Sequence, residues 1–220
     1  MPKLNANDIL KNKRKIESAA LQVFVKQGFH GTSIRDIANA SGVSIGNIYT
    51  YYKTKEALYL AIVEHYESRV QHLLSVMLDS LDDVFEPAGV EDLALKSRDI
   101  VYAEPDYWRL MYIDVTEFGN QHFAHSFRTL SANLKVKLGR KLSAKALDPQ
   151  LSDVDPALAF TAIYLNFFTY FLVEKLFGGK HHLGVPDEQA VKQMVTIYTR
   201  GLGTGKSRTR SKTAKAGGKR

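Results

Sequence analysis

Apolar side chains early in the chain return at the three- and four-residue intervals of a helix and not in the alternation of a strand. Ile16, Ala20, Val23 and Phe24 form one stripe, which stops at Gly28. Ile34, Ile37 and Ala38 form a second, followed after a gap by Val43 and Ile48. These spacings put both sets on the inner faces of two helices that meet at a sharp angle. The joint is Ala40-Ser41-Gly42, whose glycine suits the left-handed backbone that ends many helices, and Ala38 is small enough to let the next helix approach closely. Polar residues mark the helix starts. Ser44 stands at an N-cap position, Ser33 and Asp36 have the S-x-x-D spacing of a capping box, and Thr54 offers a third cap before Glu56 and Leu58. Three caps in so short a stretch predict three helix starts, and residues 33–52 have the layout of a helix-turn-helix.

Beyond that segment, Pro87, Gly89, Pro105, Gly119, Pro149, Pro156, the Gly178-Gly179 pair and Pro186 divide the chain into stretches of helical periodicity. They predict helices at about 55–84, 90–103, 105–118, 120–146, 155–177 and 187–202. No fixed-period repeat occurs, which argues against a solenoid. The expected fold class is all-α: an N-terminal three-helix helix-turn-helix domain and a six-helix C-terminal domain. The expected divisions are an N-terminal arm over 1–11, the helix-turn-helix domain over 12–65, a helical body over 66–203 and a basic tail over 204–220.

The stretch 155–177 is apolar on nearly every face, with Ala157, Ala159 and Ala162 set among Leu158, Phe160, Ile163, Leu165, Phe167, Phe168 and Phe171. Such a helix must be covered on all sides, one by its own domain and the other by a partner chain. The last helix offers Ala190, Met194, Ile197 and Gly201 on one face, with Val191, Val195, Tyr198 and Leu202 beside it. The apolar run Ala157 to Val173 is short and includes Thr161, Asn166 and Thr169, so it reads as a buried helix and no membrane partner is expected.

Charge sharpens the picture. The net charge is +7, unevenly spread: residues 1–60 carry nine Lys/Arg against four Asp/Glu, residues 61–203 fourteen against nineteen, and residues 204–220 seven against none. A basic head and an acidic body are the footprint of a protein that brings one end to DNA. The tail has no large apolar residue and is expected to be disordered in isolation, serving either as a sequence-independent phosphate contact or as a solubilising terminus. Cysteine is absent, which excludes disulfides and thiol chemistry. The opening MPKLNANDILKNKRK lacks the apolar run of a signal peptide, so a cytoplasmic location is expected.

The second helix of the pair presents Ser44, Ile45, Gly46, Asn47, Thr50 and Tyr51 outward, residues suited to a major groove. Asn47 can pair with an adenine edge, Ile45 and the Thr50 methyl can pack on a thymine methyl, and Gly46 lets the backbone come close. Arg35 and Lys55 each fall in a first helical turn, where the helix dipole disfavours a cation by ~0.3 to 1 kcal/mol, a sign that a DNA phosphate lying across the helix ends would reverse. Tyr49 and Tyr51 bring hydroxyls to phosphate depth, whereas Tyr52 points inward. Thr32 and Ser33 complete the expected DNA-contacting set.

These residues resemble the DNA-binding domain of the tetracycline-repressor (TetR) family of bacterial transcriptional regulators. The matching features are the G-x-x-G-T-S run from Gly28 to Ser33, Arg35-Asp36-Ile37-Ala38, Gly42-Val43-Ser44, Gly46, Ile48-Tyr49, Tyr51 and Lys55-Glu56-Ala57-Leu58, within about the first 65 residues. Tyr52 departs from the usual Phe, and its hydroxyl needs a partner. The resemblance implies nine helices. It also implies a two-fold homodimer built by four-helix packing of the segments at about 155–177 and 187–202, bound to a palindromic operator in double-stranded DNA. It further implies a cavity for a small-molecule effector in the body.

Aromatic and sulfur side chains in the body that could line such a cavity are Trp108, Met111, Tyr112, Phe123, Phe127, Tyr164, Phe168 and Phe171, and the ligand would be largely apolar. Ordinary core packing is the competing reading for each. Asn166, Thr169, Arg128 and Glu117 are polar groups able to orient a ligand. His122 and His125, and the His181-His182 pair, do not by spacing make a metal site, and no metal or cofactor is expected. With no nucleophile motif, phosphate loop or dinucleotide fingerprint, no catalytic residues are assigned and an enzyme is not expected. The expected function is sequence-specific transcriptional regulation, with release from the operator by ligand. The alternative is a constitutive DNA-binding or packaging protein.

Overall fold

The computed structural model describes residues 6–80, 84–125, 128–129, 132, 135–138, 153–177 and 184–200. Among these the regular elements are all helices: α1 (Ala6–Gln27), α2 (Ile34–Ser41), α3 (Ile45–Tyr51), α4 (Lys55–Ser80), α5 (Pro87–Ala103), α6 (Pro105–Glu117), α7 (Pro156–Leu176) and α8 (Asp187–Arg200). The helix expected at 120–146 falls largely outside the described residues. Those described between 124 and 138 are helical.

The helix starts follow the caps. Both halves of the capping box form: the Asp36 amide donates to Ser33 Oγ at 3.1 Å and the Ser33 amide donates to Asp36 Oδ2 at 2.8 Å. Ser44 Oγ accepts from the Asn47 amide at 3.3 Å and Thr54 Oγ1 from the Ala57 amide at 3.0 Å. Gly42 takes φ of 66° and donates its amide to the Ala38 carbonyl at 3.0 Å, closing α2 through the left-handed conformation that glycine adopts without penalty. Two boundaries differ from expectation. Helix α1 begins at Ala6, inside the expected arm, with Asp8 favouring the positive end of its dipole. Helix α5 begins at Pro87 and not near 90, because proline at a first helical position is preorganised for the helix and loses no hydrogen bond.

Ile16, Ala20, Phe24, Ile37, Ile48, Tyr52 and Leu58 form the buried centre of the head. Helix α4 leaves the head at Tyr59 and Ile62 and enters the body through Val70, Leu74 and Met77. In the body α5 packs against α7 and α8, burying Val90, Leu93, Ala94 and Val101 with Phe160, Phe167, Phe171 and Val191.

Helix α7 buries one side only. Phe160, Tyr164, Phe167, Phe171 and Leu172 face inward, while Leu158 is 65% and Leu165 46% exposed, and Ile197 of α8 is 41% exposed. The all-round cover expected from its composition is thus supplied on one side by this chain. By length and composition alone α7 is also apolar enough to cross a membrane.

Candidate nucleic-acid interface

Helix α3 is held by its inner residue Ile48, fully buried, and capped by Ser44. Its other face is open: Ser44, Ile45, Gly46, Asn47, Tyr49 and Thr50 are all exposed. Thr50 Oγ1 donates to the Gly46 carbonyl at 3.0 Å, which satisfies the hydroxyl within the helix and leaves the methyl to face outward. Arg35 in the first turn of α2 and Ser33 at its cap are exposed on the same head.

Three of the expected contact residues also bond within the head. Thr32 is 3% exposed and its hydroxyl donates to the Gly28 carbonyl at 2.6 Å, so its side chain belongs to the turn between α1 and α2. Tyr51 is half-buried, and its hydroxyl accepts from Asn12 Nδ2 at 3.3 Å. Lys55 reaches back to the carbonyls of Phe29 and Thr32, each at 2.6 Å, with its ammonium 4.2 Å from the centre of the Phe29 ring. Burial pushes its pKa below the ordinary lysine value, against the pull of Glu117. The cation that looked misplaced at a helix start therefore clasps the turn between α1 and α2. The Tyr52 hydroxyl, 5% exposed in its residue, finds its partner in the Glu17 carboxylate, and burial followed by that contact raises its pKa.

Sequence reasoning offered Glu117 as a ligand-orienting group. It instead caps the head. Its two carboxylate oxygens accept the amides of Phe29 at 3.1 Å and His30 at 2.7 Å, tying the last residue of α6 to the turn after α1. Gly28 makes this approach possible, since it adopts φ of 77° and a Cβ there would overlap the carboxylate. Around the cap, Phe118 lies 4.5 Å from Phe29 and 5.1 Å from Tyr59 between ring centres. The Tyr59 hydroxyl donates to the Leu110 carbonyl at 2.9 Å, and burial, then the charges of Asp114 and Glu117, raise its pKa. Fully buried Asp114 meets His122 Nδ1 at 2.5 Å. No run or motif flags this junction, because its members come from the turn after α1, from α4, from α6 and from the turn after α6. His125 is exposed, and His181 and His182 lie outside the described residues.

The expected ligand residues divide. Phe123, Trp108, Phe168 and Tyr164 are linked ring to ring: Phe123 to Tyr107 at 5.4 Å, Tyr107 to Trp108 at 4.7 Å, Trp108 to Phe168 at 4.9 Å and Phe168 to Tyr164 at 5.8 Å. The indole N–H of Trp108 donates to the Val101 carbonyl at 3.2 Å. Phe171 packs apart from that line against Tyr102, and Met111 is half-buried at its edge. Tyr112 is 40% exposed against Phe177, because the inward stripe of α6 runs through Tyr107, Leu110 and Asp114 and leaves residue 112 on the flank. Phe127 lies outside the described residues.

An open cleft of about 640 Å³ occurs elsewhere, on the head, between α1 and the end of α2.

Residues 16–62 match the family model described as bacterial regulatory proteins, tetR family. The HTH-type transcriptional regulator RutR of Escherichia coli K12 is 49% identical over 51 residues, 23% of this chain and 24% of RutR, so the match spans about a quarter of that relative's length. Over most of the chain the likeness is lower in identity. A TetR-like transcriptional regulator from Rhodococcus sp. RHA1 superposes with a TM-score of 0.61 at 20% identity, covering 87% of this chain and 95% of that one. The regulator FadR from Bacillus subtilis, in a structure with stearoyl-CoA, does so with a TM-score of 0.58 at 16% identity, covering 86% and 99%. Its helix-turn-helix head thus matches the tetR family of bacterial regulatory proteins in sequence, and the helical body that continues it shares the fold of TetR-like regulators.

Proposed function

We propose that the chain is a sequence-specific DNA-binding transcriptional regulator acting in the cytoplasm as a homodimer and released from a palindromic operator by a small, largely apolar ligand. The observation that carries this reading is the exposed face of α3, where Ile45, Gly46, Asn47 and the Thr50 methyl stand clear on a helix anchored through buried Ile48. A bare stretch of asparagine, small and methyl-bearing side chains on a rigid helix reads base edges in a major groove. Arg35 and Ser33 beside it meet phosphate.

The apolar side of α7 left open by its own chain, with Leu158 and Leu165, supports closure against a second copy together with Ile197 and Tyr198 of α8. A two-fold dimer sets two copies of α3 over half-sites ~34 to 36 Å apart, or a multiple of that turn. The effector site is assigned to the ring line Phe123, Trp108, Phe168 and Tyr164, which takes a flat or long apolar ligand by parting rings that now touch. FadR, similar in fold, holds a fatty acyl thioester. Movement of α6 on binding would reach the head through Glu117, so ligand and DNA oppose each other by linkage.

Selection from a random duplex library tests this. The proposal expects enrichment of one inverted repeat, with release by a panel that includes long-chain acyl thioesters and aromatic compounds. Enrichment of no motif contradicts the regulator and leaves the packaging alternative. A motif that no apolar compound releases contradicts ligand control alone.

A further inference from the structure

One face of α1 has no role in the core, the junction or the reading helix. Asn7, Lys11, Arg14, Lys15, Ser18 and Gln22 recur at helical intervals and form a single stripe, exposed along its length. Together with Ala40 and Ser41 they wall the open cleft of about 640 Å³. Three cations line it, and among the described residues that line it there is no carboxylate.

The cleft lies beside the turn that leads into α3. Ser41 lies three residues before the Ser44 cap, with its hydroxyl accepting from the Val43 amide at 3.2 Å. On the neighbouring turn of α1, Asn12 donates to the Tyr51 hydroxyl in the last turn of α3. Helix α1 thus touches the last turn of α3 while Ser41 of the cleft leads into its first, which sets the stripe on the same head as the helix a duplex would meet. The cleft is open, and Lys11, Arg14 and Lys15 stand together on about one turn of α1 at its wall. That arrangement suits a chain of regularly spaced negative charges better than a small anion, which would keep its water.

We propose that Lys11, Arg14 and Lys15 bind the sugar–phosphate backbone of the duplex flanking the bases read by α3, as a clamp that carries affinity and no sequence preference. This rests on the DNA-binding reading given above. Its partner is the same DNA, and its contribution is separable from base reading because phosphate contacts change salt dependence while base contacts change preference.

The test is the triple variant Lys11→Gln/Arg14→Gln/Lys15→Gln in the full chain, titrated against the library-selected duplex and a scrambled duplex over a range of salt. The slope of log affinity against log salt should become shallower by about 2 to 3 for each head engaged, at about 0.9 per phosphate contact. The ratio of selected to scrambled affinity should stay within about threefold of the wild-type ratio. An unchanged slope in a folded variant overturns the clamp, as does loss of the ratio without a change in slope. Should the triple variant fail to fold, the single variants Lys11→Gln and Arg14→Gln carry the same test at about one slope unit or less each. A wild type that binds no duplex removes the functional reading itself, whereas a wild type that binds beside a variant with an unaltered slope removes the clamp alone.

Discussion

Ser33 and Asp36 set the entry of α2 by exchanging two hydrogen bonds across one turn. Hydrogen bonds from the Ser33 hydroxyl and amide hold the Asp36 carboxyl below its ordinary value of 3.8. A carboxylate depressed by folding contributes stability above its unfolded pKa and loses that contribution as the pH falls through the lower folded one. Acid should therefore loosen α2 below about pH 4, and Asp36→Asn should remove this dependence. An acid transition that persists unaltered in the variant would count against the capping role. Ser33→Ala should lower the unfolding free energy by about 1 kcal/mol, read from denaturant melts. The caps were legible from sequence because each is a local pattern of polar residue and spacing. Lys55 was only half legible. Its position in a first turn announced an unusual cation, but the carbonyls of Phe29 and Thr32 that hold it come from a different part of the chain.

Among the elements, α3 and α6 make contrasting demands. The outer face of α3 touches nothing that stabilises the fold, so Asn47→Ala should leave the melting temperature unchanged while relaxing preference at one base pair by about 1 to 3 kcal/mol. A fall in stability without a change in preference would place Asn47 in the packing and not in the groove. Helix α6 ends on Glu117, whose carboxylate caps two amides of the turn after α1. Glu117→Ala should cost about 1 to 2 kcal/mol and speed hydrogen exchange at Phe29 and His30 above other amides of the head. Uniform exchange across the head would deny the cap. Helix existence and order were readable from periodicity and from proline and glycine punctuation. The start of α5 differs from the expected one because Pro87 begins the helix and does not break it, as proline does at a first helical position. The flank position of Tyr112 was not legible, because spacing identifies a face without saying which edge of that face meets the core.

At the scale of the whole molecule, a head matched at high sequence identity is joined to a body matched only at low identity and by its fold. The head repeats residue-level demands, caps and a left-handed glycine, that any such helix-turn-helix must meet. The body needs only apolar volume at helical spacing, which many sequences satisfy. The open apolar side of α7 belongs to the same scale. Leu158→Glu/Leu165→Glu should shift sedimentation from dimer to monomer at micromolar concentration and weaken operator binding, since a monomer engages one half-site. A wild-type chain already monomeric at that concentration would contradict the two-fold arrangement. Whether the head reads sequence is decided most directly by one titration: the wild-type chain against the selected palindrome and against a scrambled duplex of equal length, in the same salt. Base reading by α3 should give an affinity ratio of ~10³ or more. Equal affinities for the two duplexes would contradict it.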